Sequence, residues 1–282
     1  MRYYKPLLSL VSFLCLMVCC NNNNDRHKNG TDTTTVLQAE SPRYDSLDSI
    51  AQTKAFARAM SYAKEHRNDS QFTYQKQIGP TLEDSFGVSL RLDFGQLFTK
   101  GKKHLLIRRQ TPGTVMIDIM LLENDSFRLI CKTENEAQNY VGDTIRDVNG
   151  DGYKDYLLHL YAASGCCRRN FYDTHLYLAH ADSLTEGYEF MNPTFSAREK
   201  VIRGVQYGHP GEVPLYKYKW NGLRVDTLEF VRPDTANKGQ FLITRSDDWP
   251  LSPKDIKRSV KSLPPEYQHI EDIDWFLSYL KE

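Results

Sequence analysis

The residues Asp147-Val148-Asn149-Gly150-Asp151-Gly152-Tyr153-Lys154-Asp155 place oxygen donors at alternate positions of a short loop. Asp147, Asn149 and Asp151 stand at positions 1, 3 and 5, Gly152 at position 6 permits a sharp turn, Tyr153 offers a backbone carbonyl at position 7, and Asp155 stands at position 9. Calcium takes hard oxygen ligands from this kind of sharply turned backbone. Position 12 is Leu158, where a helix–loop–helix hand places a bidentate glutamate, and the flanks alternate as strands. The expectation is therefore a calcium loop between two strands. Its ion is expected to be structural, because no histidine or glutamate lies in the loop to activate a water. An affinity on the order of 10⁻⁴–10⁻³ M, as in extracellular modules, is expected.

Other residues that could do chemistry do not assemble into a constellation. His159, His175 and His180 lack the spacing of a helical ligand pair, and together with His104 and His209 they read as packed or surface residues. Ser164 has no Gly-x-Ser-x-Gly elbow around it. A non-enzymatic chain is the expectation. Ser164-Gly165-Cys166-Cys167-Arg168-Arg169-Asn170 follows an apolar strand next to the loop, and its two guanidinium groups can grip carboxylate or phosphate bidentately. Arg168 and Arg169 form a candidate contact for a partner, with a solvated turn paired to nearby acids as the other reading. Tyr172, Tyr177, Tyr207, Tyr216, Tyr218 and Trp220 could line a sugar-binding face, but aromatic stripes at strand spacing more often form core.

The elements that must position these residues are mostly strands. Val115 to Leu122 is a nearly continuous apolar run, Asn124-Asp125 turns the chain, and Phe127 to Cys131 returns. Tyr156 to Tyr161 is apolar on both faces, as in a central strand. Tyr216 to Trp220 and Leu223 to Thr227 flank Asn221-Gly222, which predicts a type I′ hairpin with Trp220 opposite Leu223, Tyr218 opposite Val225 and Lys219 opposite Arg224. Leu47, Ile50, Ala51, Ala55, Ala59, Tyr62 and Ala63 recur at helical spacing and predict an amphipathic helix over 46–66, capped by Asp45 or Ser46. Residues 266–280 read as a terminal helix or pair of turns, with Ile270, Ile273, Trp275, Phe276 and Leu280 inward. The fold class expected is mainly β: antiparallel, propeller-like or blade-like sheets in one domain over 44–282, with a helix at each end.

The chain starts with Arg2 and Lys5, then an apolar run from Leu7 to Val18, then Cys19-Cys20 and a polar stretch. That run has the length of a signal-peptide core and is too short to span a bilayer. Ending at a cysteine, it resembles the lipobox of exported bacterial lipoproteins. The resemblance implies cleavage after residue 19 and acylation (palmitate-type chains) of Cys20, with Cys19 as the alternative. It also implies an anchor in the cell envelope, most readily the outer membrane, and leaves the membrane face open. Residues 20–43 read as a flexible tether. Losing residues 1–19 turns 36 basic residues into 34 against 36 acidic, which excludes a strongly basic nucleic-acid footprint. Export permits disulfides. Cys131, Cys166 and Cys167 are the cysteines of the folded part, an odd number. They allow one bridge with one free thiol, or a strained bridge between the neighbours Cys166 and Cys167.

The stretch from Gly142 to Leu157, with the strand His175-Leu176-Tyr177-Leu178, resembles the calcium blade of FG-GAP and VCBS-type repeat proteins. The resemblance covers residues 142–181 and implies a structural Ca²⁺ held by Asp147, Asn149, Asp151, Tyr153 and Asp155. Only one such loop occurs, where a full propeller would show several. A looser similarity runs from the loop through Asn192-Pro193-Thr194-Phe195 to the aromatic hairpin. It resembles periplasmic lysozyme-inhibitor-like and immunity proteins and implies a protein partner, a cell-wall hydrolase. The Cys166-Cys167-Arg168-Arg169 insert departs from that pattern at the inhibitor's contact motif. The expected function is a calcium-stabilised, non-enzymatic binding lipoprotein acting on an envelope protein or glycan. The alternative is an envelope glycan hydrolase or glycan-binding accessory protein, which a cleft with two suitably spaced carboxylates would favour.

Overall fold

Strands buried on both faces organise this chain. A computed structural model describes residues 41–79, 87–162, 167, 169–248 and 250–278. The first sheet is a five-stranded antiparallel meander in sequence order: β1 (Phe72–Ile78), β2 (Val88–Gly95), β3 (His104–Gln110), β4 (Thr114–Glu123) and β5 (Ser126–Glu136). Side chains alternate faces along a strand. In β3, Leu105 and Ile107 therefore join one apolar cluster while Leu106 joins another. The turn between β4 and β5 uses Asn124 and Asp125 with φ of 48° and 60°, the two successive left-handed residues a type I′ turn requires.

The second sheet has the order β11-β8-β7-β6. Its strands are β6 (Tyr140–Arg146), β7 (Asp155–Tyr161), β8 (Asn170–His175) and, after the short pair β9 (Tyr177–Leu178) and β10 (Ser183–Leu184), β11 (Tyr188–Met191). The third sheet runs β12 (Pro193–Ser196), β13 (Val201–Val205), β14 (Leu215–Asn221), β15 (Arg224–Pro233), β16 (Phe241–Thr244) and β17 (Ile256–Val260). Every pairing among the described residues is antiparallel.

The clusters show how these sheets stack. Tyr156 and Leu158 of β7 pack on Leu106, Val115, Ile117 and Ile119 of the first sheet, while Leu157 packs the other way, with Ile202, Tyr216, Trp220 and Phe230 of the third. Leu215 and Val231 face the far side of the third sheet, under Tyr267, Ile270 and Phe276 of the C-terminal segment. Helix α1 (Ser41–Glu65) covers the outer face of the first sheet, and a short helix α2 (Ile273–Leu277) ends the described fold. The mainly β, antiparallel character and the helix at either end agree with the sequence.

Three local expectations need correction. Helix α1 starts at Ser41 instead of 46 and takes in residues 41–43 of the expected tether. Ala51, Ala55, Ala59 and Ala63 form its buried stripe at strict four-residue spacing, and Ile50 is turned outward, 45% exposed. Small side chains let the helix backbone approach the sheet closely, so the seam follows the alanines, with Phe56, Met60 and Tyr62 packed beside them, and leaves Ile50 out. The hairpin of β14 and β15 turns one residue later than predicted. Asn221 pairs with Arg224, so Gly222 and Leu223 are the central residues, and only Gly222 has positive φ (+62°), as in a type II′ turn. The shift places Trp220 opposite Val225 and Lys219 opposite Asp226, which removes the expected Lys219–Arg224 like-charge pair. The signal peptide, the lipidation candidates Cys19 and Cys20, and residues 20–40 of the tether lie outside the described residues, as do Ser164, Cys166, Arg168 and Leu280. Among the described residues no helix is long and apolar enough to cross a membrane.

Candidate metal centre

The Asp147–Asp155 loop joins β6 to β7, and its side-chain oxygens fold back on its own backbone. Asp147 accepts from the Gly150 N–H at 2.7 Å and the Gly152 N–H at 3.0 Å. Asn149 Oδ1 accepts from Asp151 N at 3.0 Å, and Asp151 Oδ1 accepts from Tyr153 N at 2.9 Å. Gly150 and Gly152 have φ of +73° and +91°, a region open to glycine at little cost. Gly150 also lies against the turn before β13, where a Cβ would come within 2.2 Å of the Ala197 carbonyl oxygen. Val148 is fully buried between the second and third sheets. The loop is thus a joint between sheets as well as a connection between strands.

Asp155 is the bolt of this joint. It is fully buried, and its two oxygens accept from Val148 N and Tyr177 N, each at 3.0 Å. It ties the start of the loop to β9. Burial pushes its carboxyl up to about 7, against the two N–H bonds that pull it down and with the negative charges of Asp151 and Asp147 that raise it further. The donor set therefore fits a hard divalent cation in chemistry: all oxygen, with like charges converging on a desolvated carboxylate. Its arrangement is less complete. Among the described residues no three acidic, histidine or cysteine side chains come together as a group that could hold an ion. Asn149, 7% exposed, and the Tyr153 carbonyl would have to supply the other donors.

Arg169 precedes β8 and lies on Tyr207, with its guanidinium carbon 4.8 Å from the ring centre and Nη2 donating to the Tyr207 hydroxyl at 2.8 Å. Tyr207 is exposed, as is Tyr161 at the end of β7. Tyr177, Tyr216 and Trp220 are core, as expected, and Tyr172 and Tyr218 are half-buried. Cys131 has no disulfide partner among the described residues, and Cys167 is half-buried with φ +82°.

A cleft with two carboxylates does exist, between the first and second sheets. Arg108 bridges Asp143, by Nε and Nη2 at 2.5 Å, to Asp93, by Nη1 at 2.5 Å. The Tyr140 hydroxyl donates to Asp143 at 2.7 Å, and a cavity of about 560 Å³ opens beside the bridge. Burial pushes the Asp93 carboxyl up, but hydrogen bonds from Arg108 and Thr73 and the charges of Arg108 and Arg91 outweigh it and hold it below the usual range. A general acid needs the opposite shift. Nothing in the sequence pointed to this bridge, because its members lie on three strands of two sheets.

The other histidines behave as packing or surface groups. His159 stacks on Tyr172 with ring centres 4.4 Å apart. His104 is fully buried among Phe98 and Tyr177, and burial pulls its ring down to about 4 against the raising charge of Asp182. His180 and His209 are exposed. His175 is the exception, with both ring nitrogens facing hydrogen-bond partners.

No protein-family model matches the chain, and no curated protein does. Among solved structures the chain is similar to one described as a Xanthomonas type IV secretion system related protein. The TM-score is 0.33 and the identity 14%, over 68% of this chain and 94% of that one.

Proposed function

We propose that this chain is a calcium-stabilised, non-enzymatic binding lipoprotein of the bacterial envelope, anchored through an acylated Cys20 and neutralising a cell-wall hydrolase. The observation that supports it best is the place of the Asp147–Asp155 loop. Val148 is wedged between two sheets, Gly150 abuts the turn before β13, and Asp155 ties the loop to β9. A cation shared by Asp147, Asn149, Asp151, Asp155 and the Tyr153 carbonyl would offset the converging negative charge and stiffen those contacts together. Strand β7 runs from this joint to Tyr161, which pairs with Asn170 at the start of β8, just after Arg169. Arg169 stacked on exposed Tyr207 is the contact patch assigned to the partner. A half-immobilised arginine on an exposed tyrosine loses less side-chain entropy when it binds.

The test is capture of purified envelope glycan hydrolases by the acylated full-length chain, with calcium and with chelator. Calcium-dependent binding that falls at least about tenfold with Arg169→Ala, on the order of a lost interface anchor, supports the reading. Binding that ignores both calcium and Arg169 contradicts it. The second reading, a glycan hydrolase or accessory protein, draws on the cleft beside Asp93 and Asp143. Because Arg108 occupies both carboxylates, that cleft favours glycan contact over acid–base chemistry.

A further inference from the structure

Three side chains meet between the first and second sheets without a role in the loop or the contact patch. Asp173 and His175 are two residues apart on β8 and so share a face. His175 lies opposite Tyr156 and Asp173 opposite Leu158 on β7, and both of those face the first sheet. Cys131, on β5, comes from that sheet to meet them. His175 Nδ1 is 3.0 Å from the Thr185 carbonyl oxygen and 3.9 Å from Cys131 Sγ, and Nε2 is 3.1 Å from Asp173 Oδ2.

Both ring nitrogens therefore face acceptors, which only the doubly protonated ring can satisfy. Burial pulls His175 down, yet its hydrogen bonds to Asp173 and Cys131 and the adjacent Asp173 carboxylate outweigh it and push the ring up to about 10. His175 is nearly buried and the Asp173 side chain is 34% exposed, so the pair reaches from the interior toward the surface. The Asp173 carboxylate lies against Gly187, where a Cβ would come within 1.7 Å of its oxygen and push it aside. Tyr156 completes the surroundings, with its ring 6.0 Å from His175.

We propose that Cys131 is a nucleophilic thiol, activated by the His175–Asp173 pair, that forms mixed disulfides with small disulfide compounds. A fixed positive charge beside a sulfur favours its anion, which is the attacking form. In the step, the thiol proton leaves to solvent and the Cys131 sulfur bonds to one sulfur of the small disulfide. That compound's S–S bond breaks, and the departing thiolate takes a proton from solvent. Cys131 is oxidised, the released half is reduced, and no outside electron is needed. His175 and Asp173 act as positioning residues. The choice of a disulfide as co-reactant rests on the exported location proposed above; the reactivity of the thiol does not.

The experiment follows the Cys131 peptide by mass spectrometry after brief exposure of the full chain to oxidised glutathione at pH 7. The native chain is expected to react at Cys131 at least about tenfold faster than the urea-unfolded chain. Asp173→Asn, a change at a partly exposed side chain, is expected to lower the native rate at least about fivefold, with the thermal transition intact. His175→Asn is expected to lower it further, with the rate rising more steeply between pH 7 and 9. A native rate at or below the unfolded rate overturns the proposal, as does a folded Asp173→Asn chain that reacts as fast as the parent. If His175→Asn fails to fold, the native-versus-unfolded comparison and Asp173→Asn still decide. Native reactivity without calcium-dependent capture of a hydrolase would uphold the thiol and sink the binding role; the reverse would do the opposite.

Discussion

Two regions of this chain join neighbouring sheets by different means, the β6–β7 loop between the second and third and the thiol site between the first and second. The β6–β7 loop is built from nine consecutive residues whose side chains satisfy each other's backbone: Asp147 caps Gly150 and Gly152, Asn149 caps Asp151, and Asp155 reaches back to Val148. The Cys131–His175–Asp173 site is built from two strands in different sheets, with thiol and imidazole 44 positions apart in the sequence. One is negatively charged and is the place proposed for a cation. The other carries its own cation, the His175 ring. Local sequence spacing can specify the first kind of site, whereas only sheet stacking can specify the second.

The largest expected effect separates bolt from cage. Asp155→Ala removes the acceptor of two buried N–H groups, each costing about 1–3 kcal/mol, so thermal unfolding should show a loss of roughly 2–6 kcal/mol even in chelator. Asp147→Ala, whose partners lie nearer the surface, should cost less in chelator. Equal losses would mean that Asp155 is no more than another member of the loop.

A smaller pair of substitutions tests whether the loop is a joint between sheets. Gly150→Ala meets both a left-handed backbone and the Ala197 carbonyl, and should cost about 2–4 kcal/mol by strain plus overpacking. Gly152→Ala meets the strained backbone alone, with open space around it, and should cost about 1 kcal/mol. Chemical denaturation measures both. Similar values would show that contact with the neighbouring turn contributes nothing.

A further effect concerns pH and belongs to the second region. His175 is raised from 6.5 to about 10, so the folded state binds its proton more tightly than the unfolded chain does. The stability this contributes is complete below pH 6.5 and is lost as pH rises through about 10. Melting temperature should therefore fall between pH 7 and 10 in the parent, and fall less in Asp173→Asn. Parallel profiles in the two chains would remove Asp173 as the cause.

Much of the architecture was legible because it rests on period-two alternation and turn chemistry. The apolar run from Val115 to Leu122 became a central strand, and Asn124-Asp125 its turn. The Asn221-Gly222 hairpin was legible in place but not in register, because a glycine suits the first central position of one turn type and the second of another. In helix α1 the spacing was visible and the choice of alanines over Ile50 was not, since that depends on how closely the sheet approaches. The loop's donors were legible at their spacing. Their engagement with backbone N–H groups was not, because side-chain torsions leave no mark on spacing. The Asp93–Arg108–Asp143 bridge and the thiol site were invisible for a simpler reason: each is a meeting of strands whose order in space no local pattern encodes.

Thermal unfolding of the full chain in 10 mM calcium against excess chelator tests most directly for an ion at the β6–β7 joint. At about one hundred times the dissociation constant, a ligand of the folded state alone adds about 2.7 kcal/mol. A clear rise in melting temperature is predicted for the parent and none for Asp151→Ala. Superimposable transitions of the parent in calcium and in chelator would contradict the claim.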